Sequence, residues 1–320
     1  MKEPLIAILM ATYNGEKFVS EQINSILNQT YKNWKLIIHD DCSTDLTVNI
    51  IKDYVYKYPD KIILIEDEVK CGGAKENFFH LIKIVKEKWN FNYIMFADQD
   101  DVWLPEKIKI TFIKMLEVEK KYGKKMPILV HTDLKIVDEN LNLLCDSFWK
   151  YQNLDPRIKK FNYLLVQNNV TGSTMMINNS LFQKIKYIPK NAIMHDWWIA
   201  LIASSFGKIK YINEPTLLYR QHSYNDTGAS EWNLKYILNK VKRLDGTVLS
   251  LKKAIKQAEE FAKLYYPELP QEYKNLLDVF ISLPKVNFTK KIGWLIKYKF
   301  FRKGILRNLG LLLAIRNIKE

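Results

Sequence analysis

Asp98-Gln99-Asp100-Asp101 sets three carboxylates within four residues, immediately after the apolar run Tyr93–Ala97. Carboxylates crowded at a buried strand end repel one another unless a cation or strong hydrogen-bond donors compensate. Hard oxygen ligands of this kind suit Mg²⁺ or Mn²⁺, and Mg²⁺ is typically held by one or two carboxylates together with substrate phosphates. The plainer alternative is a solvated acidic turn. A second acidic run, Asp40-Asp41-Cys42-Ser43-Thr44-Asp45, follows Lys35–His39. It reads either as a helix N-cap whose surplus acids favour the helix dipole, or as a site where Asp41 accepts hydrogen bonds from a nucleobase or ribose. A third string, Met194-His195-Asp196-Trp197-Trp198, fits a capped helix with core tryptophans. A carboxylate beside aromatic walls is also what a base acting on a hydroxyl group requires. His222, in Tyr219-Arg220-Gln221-His222, is an imidazole on a loop, open to a surface hydrogen bond or to a ligand role.

Several chemistries are missing their signatures. The first strand-to-helix turn is Ala11-Thr12-Tyr13-Asn14-Gly15, which is no G-x-G-x-x-G dinucleotide fingerprint. Neither a G-x-x-x-x-G-K-[ST] phosphate loop nor a G-x-S-x-G elbow occurs. A phosphohydrolase built on a D-x-D-x-[TV] nucleophile would carry it after an early strand, whereas here the cluster closes the fourth.

The elements that must position these residues are readable from periodicity. Leu5–Met10, Lys35–His39, Ile62–Ile65 and Tyr93–Ala97 are short apolar runs suited to buried strands. Between them, Val19, Ile23, Ile26 and Leu27 keep helical spacing, a helix runs through Ile50 to Tyr54, and another carries Phe78, Leu81, Ile82 and Val85. This β-α-β-α-β-α-β order predicts an α/β fold with a largely parallel, doubly wound sheet whose ligands bind beyond the C-terminal strand ends. Further strands are expected at Ile128–Thr132, Thr174–Ile177, Ile209–Ile212 and Thr216–Tyr219, with helices near Ser180–Ile185 and Asp196–Ser205. Lys235–Leu251 and Lys253–Tyr265 read as helices, and Pro267 and Pro270 break the chain.

The chain has 320 residues, enough for roughly two domains, and 48% of them are hydrophobic. Its three cysteines, Cys42, Cys71 and Cys145, are widely spaced, which excludes a disulfide scaffold or a cysteine-rich zinc module. The start of the chain does not read as a signal peptide, and no run approaches the length of a membrane span. A cytoplasmic location is expected. Charge is uneven: from Glu231 onward there are 19 Lys/Arg against 8 Asp/Glu, and Lys285–Lys319 holds ten basic residues and no acid. Interleaved with Trp294, Phe300, Phe301 and several leucines, this composition suits an amphipathic segment in anionic headgroups at the inner membrane face, or a helix packed as core with a solvated basic face. A nucleic-acid partner is disfavoured, because the near-neutral N-terminal two-thirds of the chain has no basic aromatic platform.

Together the strings resemble family 2 glycosyltransferases of the GT-A fold: the Ala11–Gly15 turn, the Asp40–Asp45 run, the D-x-D of Asp98 and Asp100, and His195-Asp196 as the base motif. The likeness spans roughly residues 4 to 225 and is greatest to rhamnosyltransferase-like and surface-polysaccharide transferases. It implies a GT-A domain over residues 1–228, with a Rossmann-like mixed, mostly parallel sheet, and a basic helical extension over 229–320. Ala11, Tyr13, Asp41 and Asp98 would bind the nucleotide sugar, and Asp100 and His222 the Mn²⁺ or Mg²⁺. Asp196 would be the catalytic base, with Gly172, Ser173, His195 and Trp197 on the acceptor side. The implied reaction is inverting transfer of one sugar from dTDP-rhamnose or a UDP-hexose to a saccharide or lipid-linked acceptor. The Q-x-x-R-W string of processive synthases is absent. A membrane-docked scaffold that keeps the fold without turnover is the non-enzymatic alternative.

Overall fold

The computed structural model describes residues 3–187, 189–222 and 244–318. β1 (Ile6–Thr12) is buried along its whole length, as an unbroken apolar run requires when both faces of a sheet are covered. It pairs in parallel with β2 (Trp34–Asp40) on one side and with β4 (Tyr93–Ala97) on the other, and β2 pairs in parallel with β3 (Ile62–Ile65). α1 (Val19–Leu27), α2 (Thr47–Lys57) and α3 (Ala74–Lys88) make the crossovers. Their buried residues include Val19, Ile23 and Ile26 in α1, and Phe78, Leu81, Ile82 and Val85 in α3. The strand order β3-β2-β1-β4 reverses direction between β1 and β4. In doubly wound sheets that reversal opens a crevice at the carboxyl ends of the strands.

The sheet continues through β5 (Val102–Trp103), β6 (Ile128–Val137), β7 (Leu143–Cys145), β8 (Met175–Asn178) and β9 (Lys208–Arg220), with α4 (Lys107–Tyr122) between β5 and β6. β8 pairs antiparallel with β4 and β6, and β9 lies parallel to β6. The sheet is thus mixed. The strands expected at Ile209–Ile212 and Thr216–Tyr219 are one strand, which shifts register where Asp133 faces Pro215. Proline brings no N–H to the ladder, so the irregularity falls there without ending the strand. β6 outruns its expected end at Thr132 because Asp133, a polar residue in a buried strand, is satisfied locally. It accepts from the Leu134 amide at 2.9 Å and from the Ser147 hydroxyl at 2.5 Å.

The described chain forms two compact units, and they are not divided at one point in the sequence. The first takes in the residues up to Phe148, Val170 to 187 and Gly207 to His222, and contains the whole sheet. The second joins Trp149–Asn169 and Pro189–Phe206 to the helices after residue 243. The expected boundary at 228/229 and the start of the helix expected at Lys235 lie outside the described residues. The two helices expected between Lys235 and Tyr265 meet in a single helix, Leu244–Tyr265, which is followed by a short turn at Tyr266–Glu268. Pro270 then precedes Gln271–Ile281, and Phe288–Tyr298 and Ile305–Asn317 complete the unit.

In this unit the basic tail contributes part of the core while most of its described cations stay exposed. Leu295, Phe300, Leu311, Ile315 and Ile318 are buried. Lys291 is buried too, its ammonium donating to the carbonyls of Ile315 at 3.3 Å and Ile318 at 2.7 Å and so capping the last helix. Arg307 donates to the carbonyls of Asn153, at 2.7 Å, and Gln152. Phe300 and Lys291 are therefore withdrawn from any membrane face. The apolar side chains left exposed on the last helix are Ile305, Leu306, Leu309 and Leu313.

Candidate active site

The turn after β1 and the acidic run after β2 are laced together. Asn14 sits at φ 44°, a conformation asparagine tolerates. Its amide donates to Ser43 Oγ at 2.8 Å, while its Oδ1 accepts from the Thr44 amide at 2.9 Å. The Gly15 amide donates to Thr47 Oγ1 at 2.7 Å, and Thr12 Oγ1 donates to Asp40 at 2.7 Å. Across the β1/β4 reversal, Gln99 binds the Tyr13 backbone twice: Oε1 accepts from the amide and Nε2 donates to the carbonyl, each at 2.9 Å. A Cβ at Gly15 would lie 2.3 Å from Gln99 Oε1, so a larger residue there would push this clamp aside. Ala11 is buried in β1, and Tyr13 is exposed at the strand end.

Asp41 is almost fully buried, and its carboxylate accepts from three consecutive amides, those of Cys71, Gly72 (2.9 Å) and Gly73 (3.0 Å). The residue expected to face a nucleobase thus also anchors the 71–73 backbone. Three N–H donors satisfy a carboxylate without a counter-ion.

After β4, the chain turns through Asp98–Asp101 into β5, which pairs antiparallel with β9 in the register Val102↔Leu218. Two residues back from Val102 is Asp100, and two on from Leu218 is Arg220. Arg220 Nε donates to the Asp100 carbonyl at 2.9 Å, and two residues further His222 Nε2 lies 2.8 Å from Asp100 Oδ2. The register of a two-residue strand thereby joins groups 122 positions apart. The Arg220 guanidinium also pairs with Glu21, donates to the Glu139 carbonyl at 2.5 Å and lies over the Phe18 ring, which packs against His222 as well.

Asp98 and Asp100 stay partly exposed, whereas Asp101 is buried. Burial first, then the charges of Asp100 and Asp98, raises the Asp101 carboxyl well above its ordinary value. Beneath it Lys107 is equally buried, donating to Thr216 Oγ1 at 3.1 Å and lying over the Trp103 ring. Burial lowers this ammonium to about 7 against the opposing pull of Asp101. Asp100 and His222 bring one carboxylate and one imidazole together, a pair of donors that Mn²⁺ accepts. Gly172 and Ser173 are buried in a 3₁₀ turn leading into β8.

In the second unit, Asp196 occupies the first turn of the helix His195–Phe206, where the helix dipole favours a negative charge. Asn168 donates to its Oδ1 at 3.1 Å, and the Trp197 amide donates to the same atom. Trp197 Nε1 donates to the Leu164 carbonyl at 2.6 Å, and Trp198 is core, packed on Phe261 and Tyr265. His195 is buried, and burial lowers its imidazole to about 3, so it is neutral at pH 7.

Sequence reading passed over Gln99, Arg220 and Lys107. Gln99 stands between two aspartates and Arg220 two residues before His222, so both were visible as neighbours of chemistry. Lys107 carried no signal, since a lysine in the first turn of an amphipathic helix reads as solvated.

The profile of glycosyl transferase family 2 matches residues 7–185, and the chain belongs to that family and is a glycosyltransferase. It is 33% identical over 231 residues to the dTDP-rhamnosyl transferase RfbG of Shigella flexneri, covering 69% of this chain and 74% of that one. Among solved structures, it resembles S. aureus TarS 1–349 in complex with UDP-GlcNAc, with TM-score 0.56, 14% identity, and 98% and 90% of the two chains covered. It also resembles a mannosyltransferase from Pyrobaculum calidifontis in complex with GDP-Man and Mn²⁺, with TM-score 0.54, 13% identity, and 99% and 86% covered. These likenesses show the GT-A fold.

Proposed function

We propose that the chain transfers one sugar, with inversion, from dTDP-rhamnose or a UDP-hexose to a saccharide or lipid-linked acceptor, building a cell-surface polysaccharide. The observation that carries this reading is the Asp100–His222 pair, 2.8 Å apart beyond the carboxyl end of β4. Asp100 and His222 would hold a divalent cation, with Asp98 contacting the ribose or the metal's shell. Bound there, Mn²⁺ or Mg²⁺ would neutralise charge growing on the departing diphosphate. Ala11, Tyr13 and Asp41 line the nucleobase and ribose pocket. Asp196 accepts the proton of the acceptor hydroxyl as that oxygen attacks the anomeric carbon, from the face opposite the leaving group. Gly172, Ser173, His195 and Trp197 support the acceptor side from within their units. The similarity to RfbG favours dTDP-rhamnose among the donors.

The acceptor reading draws on the last helix, where Ile305 is 80% and Leu309 50% exposed, while Lys297, Lys299 and Arg316 stay exposed nearby in sequence. Apolar side chains beside cations suit an anionic lipid surface at the inner face of the membrane. No helix among the described residues is long and apolar enough to cross a membrane. A screen of nucleotide sugars with Mn²⁺ or Mg²⁺, reading release of nucleoside diphosphate, tests the proposal. Metal-dependent release from one donor is expected. Turnover of none, without metal-dependent nucleotide binding, would leave a non-catalytic scaffold.

A further inference from the structure

A second cluster of metal-ligating side chains lies in the first unit, on residues the transfer reaction does not use. His39 is the penultimate residue of β2, Asp67 follows β3, and His80 belongs to α3; one ligand atom from each lies within 4.8 Å of the others. His39 Nε2 is 3.0 Å from Asp67 Oδ1, and His80 Nε2 is 2.7 Å from Asp67 Oδ2. The two rings meet edge to face, with centroids 4.7 Å apart.

Asn77 decides how His39 presents itself. The Asn77 amide nitrogen donates to the carbonyls of Thr12 and His39, each at 3.3 Å, which turns its Oδ1 toward His39 Nδ1 at 2.7 Å. An acceptor at Nδ1 places the hydrogen on that nitrogen, so a neutral His39 aims the lone pair of Nε2 at the Asp67 carboxylate. A lone pair facing a carboxylate oxygen at 3.0 Å is repulsive unless a cation lies between them. A ligating histidine characteristically has such a partner on its other nitrogen, fixing the ring and its tautomer.

We propose that His39, Asp67 and His80 bind a Zn²⁺ ion that pins the 66–73 segment. Two imidazole nitrogens and one carboxylate match zinc's preferred donors, and the partly exposed Asp67 and His80 leave room for water as a fourth ligand. Mg²⁺, which demands oxygen, is excluded by the two nitrogens. The segment has two anchors. Asp67 would hold its start through the metal, and the amides of Cys71, Gly72 and Gly73 hold its end on Asp41. The ion is structural: it sets the wall beside Asp41 and takes no part in transfer.

The test is equilibrium dialysis of chelator-treated full-length protein against ZnCl₂ at pH 7.5, with metal analysis, alongside His80→Ala, Asp67→Asn and Asp100→Ala. His39 is too buried to vary without risk to the fold, whereas His80 and Asp67 are partly exposed. Wild type should take up one Zn²⁺ and Asp100→Ala should keep it. Affinity should fall at least about 100-fold in His80→Ala and in Asp67→Asn, with unchanged circular dichroism, since loss of a ligand outweighs the 10- to 100-fold typical of an outer-shell loss. Zn²⁺ should also slow hydrogen exchange at Gly72 and Gly73 in the wild type and in Asp100→Ala, and not in His80→Ala or Asp67→Asn. No stoichiometric uptake would mean that a proton fills the gap and would overturn the proposal. Uptake lost in Asp100→Ala but kept in both cluster variants would overturn it equally.

Discussion

At the carboxyl end of the sheet, acidic side chains are held in place by hydrogen-bond partners. Asp41 takes three amides, Asp40 takes the Ser43 amide at 2.7 Å, and Asp100 faces His222. In the helical unit, ionisable groups are instead drawn into the packing: His195 is buried and neutral, and Lys291 caps a helix from inside. The first arrangement gathers carboxyl groups where the strands end. The second uses polar atoms to finish a core. A strand end exposes several donors and acceptors at once, whereas a helix face packed on other helices leaves only its first and last turns free. That contrast explains why Asp196, in a first turn, is the acid of the His195–Phe206 helix that remains partly exposed.

The largest expected effect lies at the sheet end. Asp100→Ala should lower transfer by about 10³-fold or more, because it removes the carboxylate proposed to hold charge at the diphosphate. Thermal stability should change little, since the Asp100 backbone carbonyl, not its side chain, accepts from Arg220. Nucleotide binding measured with and without Mn²⁺ should lose its metal dependence. Full activity in a chelator would end the metal reading.

Asp196→Asn comes next, with turnover falling about 10²- to 10⁴-fold and donor affinity nearly unchanged, as for a base that acts only in the transition state. The isostere keeps the hydrogen bond from Asn168 available, so a collapse of donor affinity with normal turnover would reassign Asp196 to the donor site.

The same contrast governs what could be read in advance. The parallel half of the sheet was legible because β1, β2, β3 and β4 are continuous apolar runs, each closed by polar residues, with helical spacing between them. The acids at their ends were legible because a strand end fixes where they must lie. The pairing of Asp100 with His222 was legible only through the family resemblance, since in the chain itself it depends on the two-residue strand Val102–Trp103 finding Leu217 and Leu218 in β9. The helical unit was not legible, since it gathers Trp149–Asn169 and Pro189–Phe206 from inside the sheet's own stretch of chain. The tail stayed open between a membrane face and a packed helix because composition cannot tell Lys291, which caps a helix in the interior, from Lys297, which is exposed.

His195 offers a sharper test of the helical side. Its folded value of about 3 lies below the ordinary 6.5. Between those values the unfolded chain binds a proton that the folded chain refuses, so this contribution to stability is complete above pH 6.5 and is lost as pH falls toward 3. The slope from one such group is roughly 1.4 kcal/mol per pH unit, giving about 2 kcal/mol by pH 5. His195→Gln cannot titrate, so its urea unfolding free energy should fall less steeply from pH 6.5 to 5 than that of the wild type. Parallel slopes would show that His195 is accessible and charged.

The smallest effect expected concerns the lipid surface, and it asks whether the helical unit has any outward function. Removing the tail cannot answer this, because Leu295, Phe300, Leu311 and Ile315 are core and their loss would unfold the unit. Ile305 and Leu309 stand one turn apart and exposed on the same side of the last helix, so charging them leaves the core intact. Ile305→Glu with Leu309→Glu removes two apolar side chains from the interface and adds two charges opposed by an anionic surface, where each nearby cation contributes about 1 kcal/mol of attraction. Sedimentation with anionic vesicles in moderate salt should weaken by about 10-fold or more, by the same interfacial terms. Neutral vesicles should bind the wild type poorly, and transfer to a soluble saccharide acceptor should be unaffected in the double variant. Equal binding of wild type and variant would place the lipid contact elsewhere on the chain. Loss of soluble-acceptor activity would instead assign this helix to the acceptor itself.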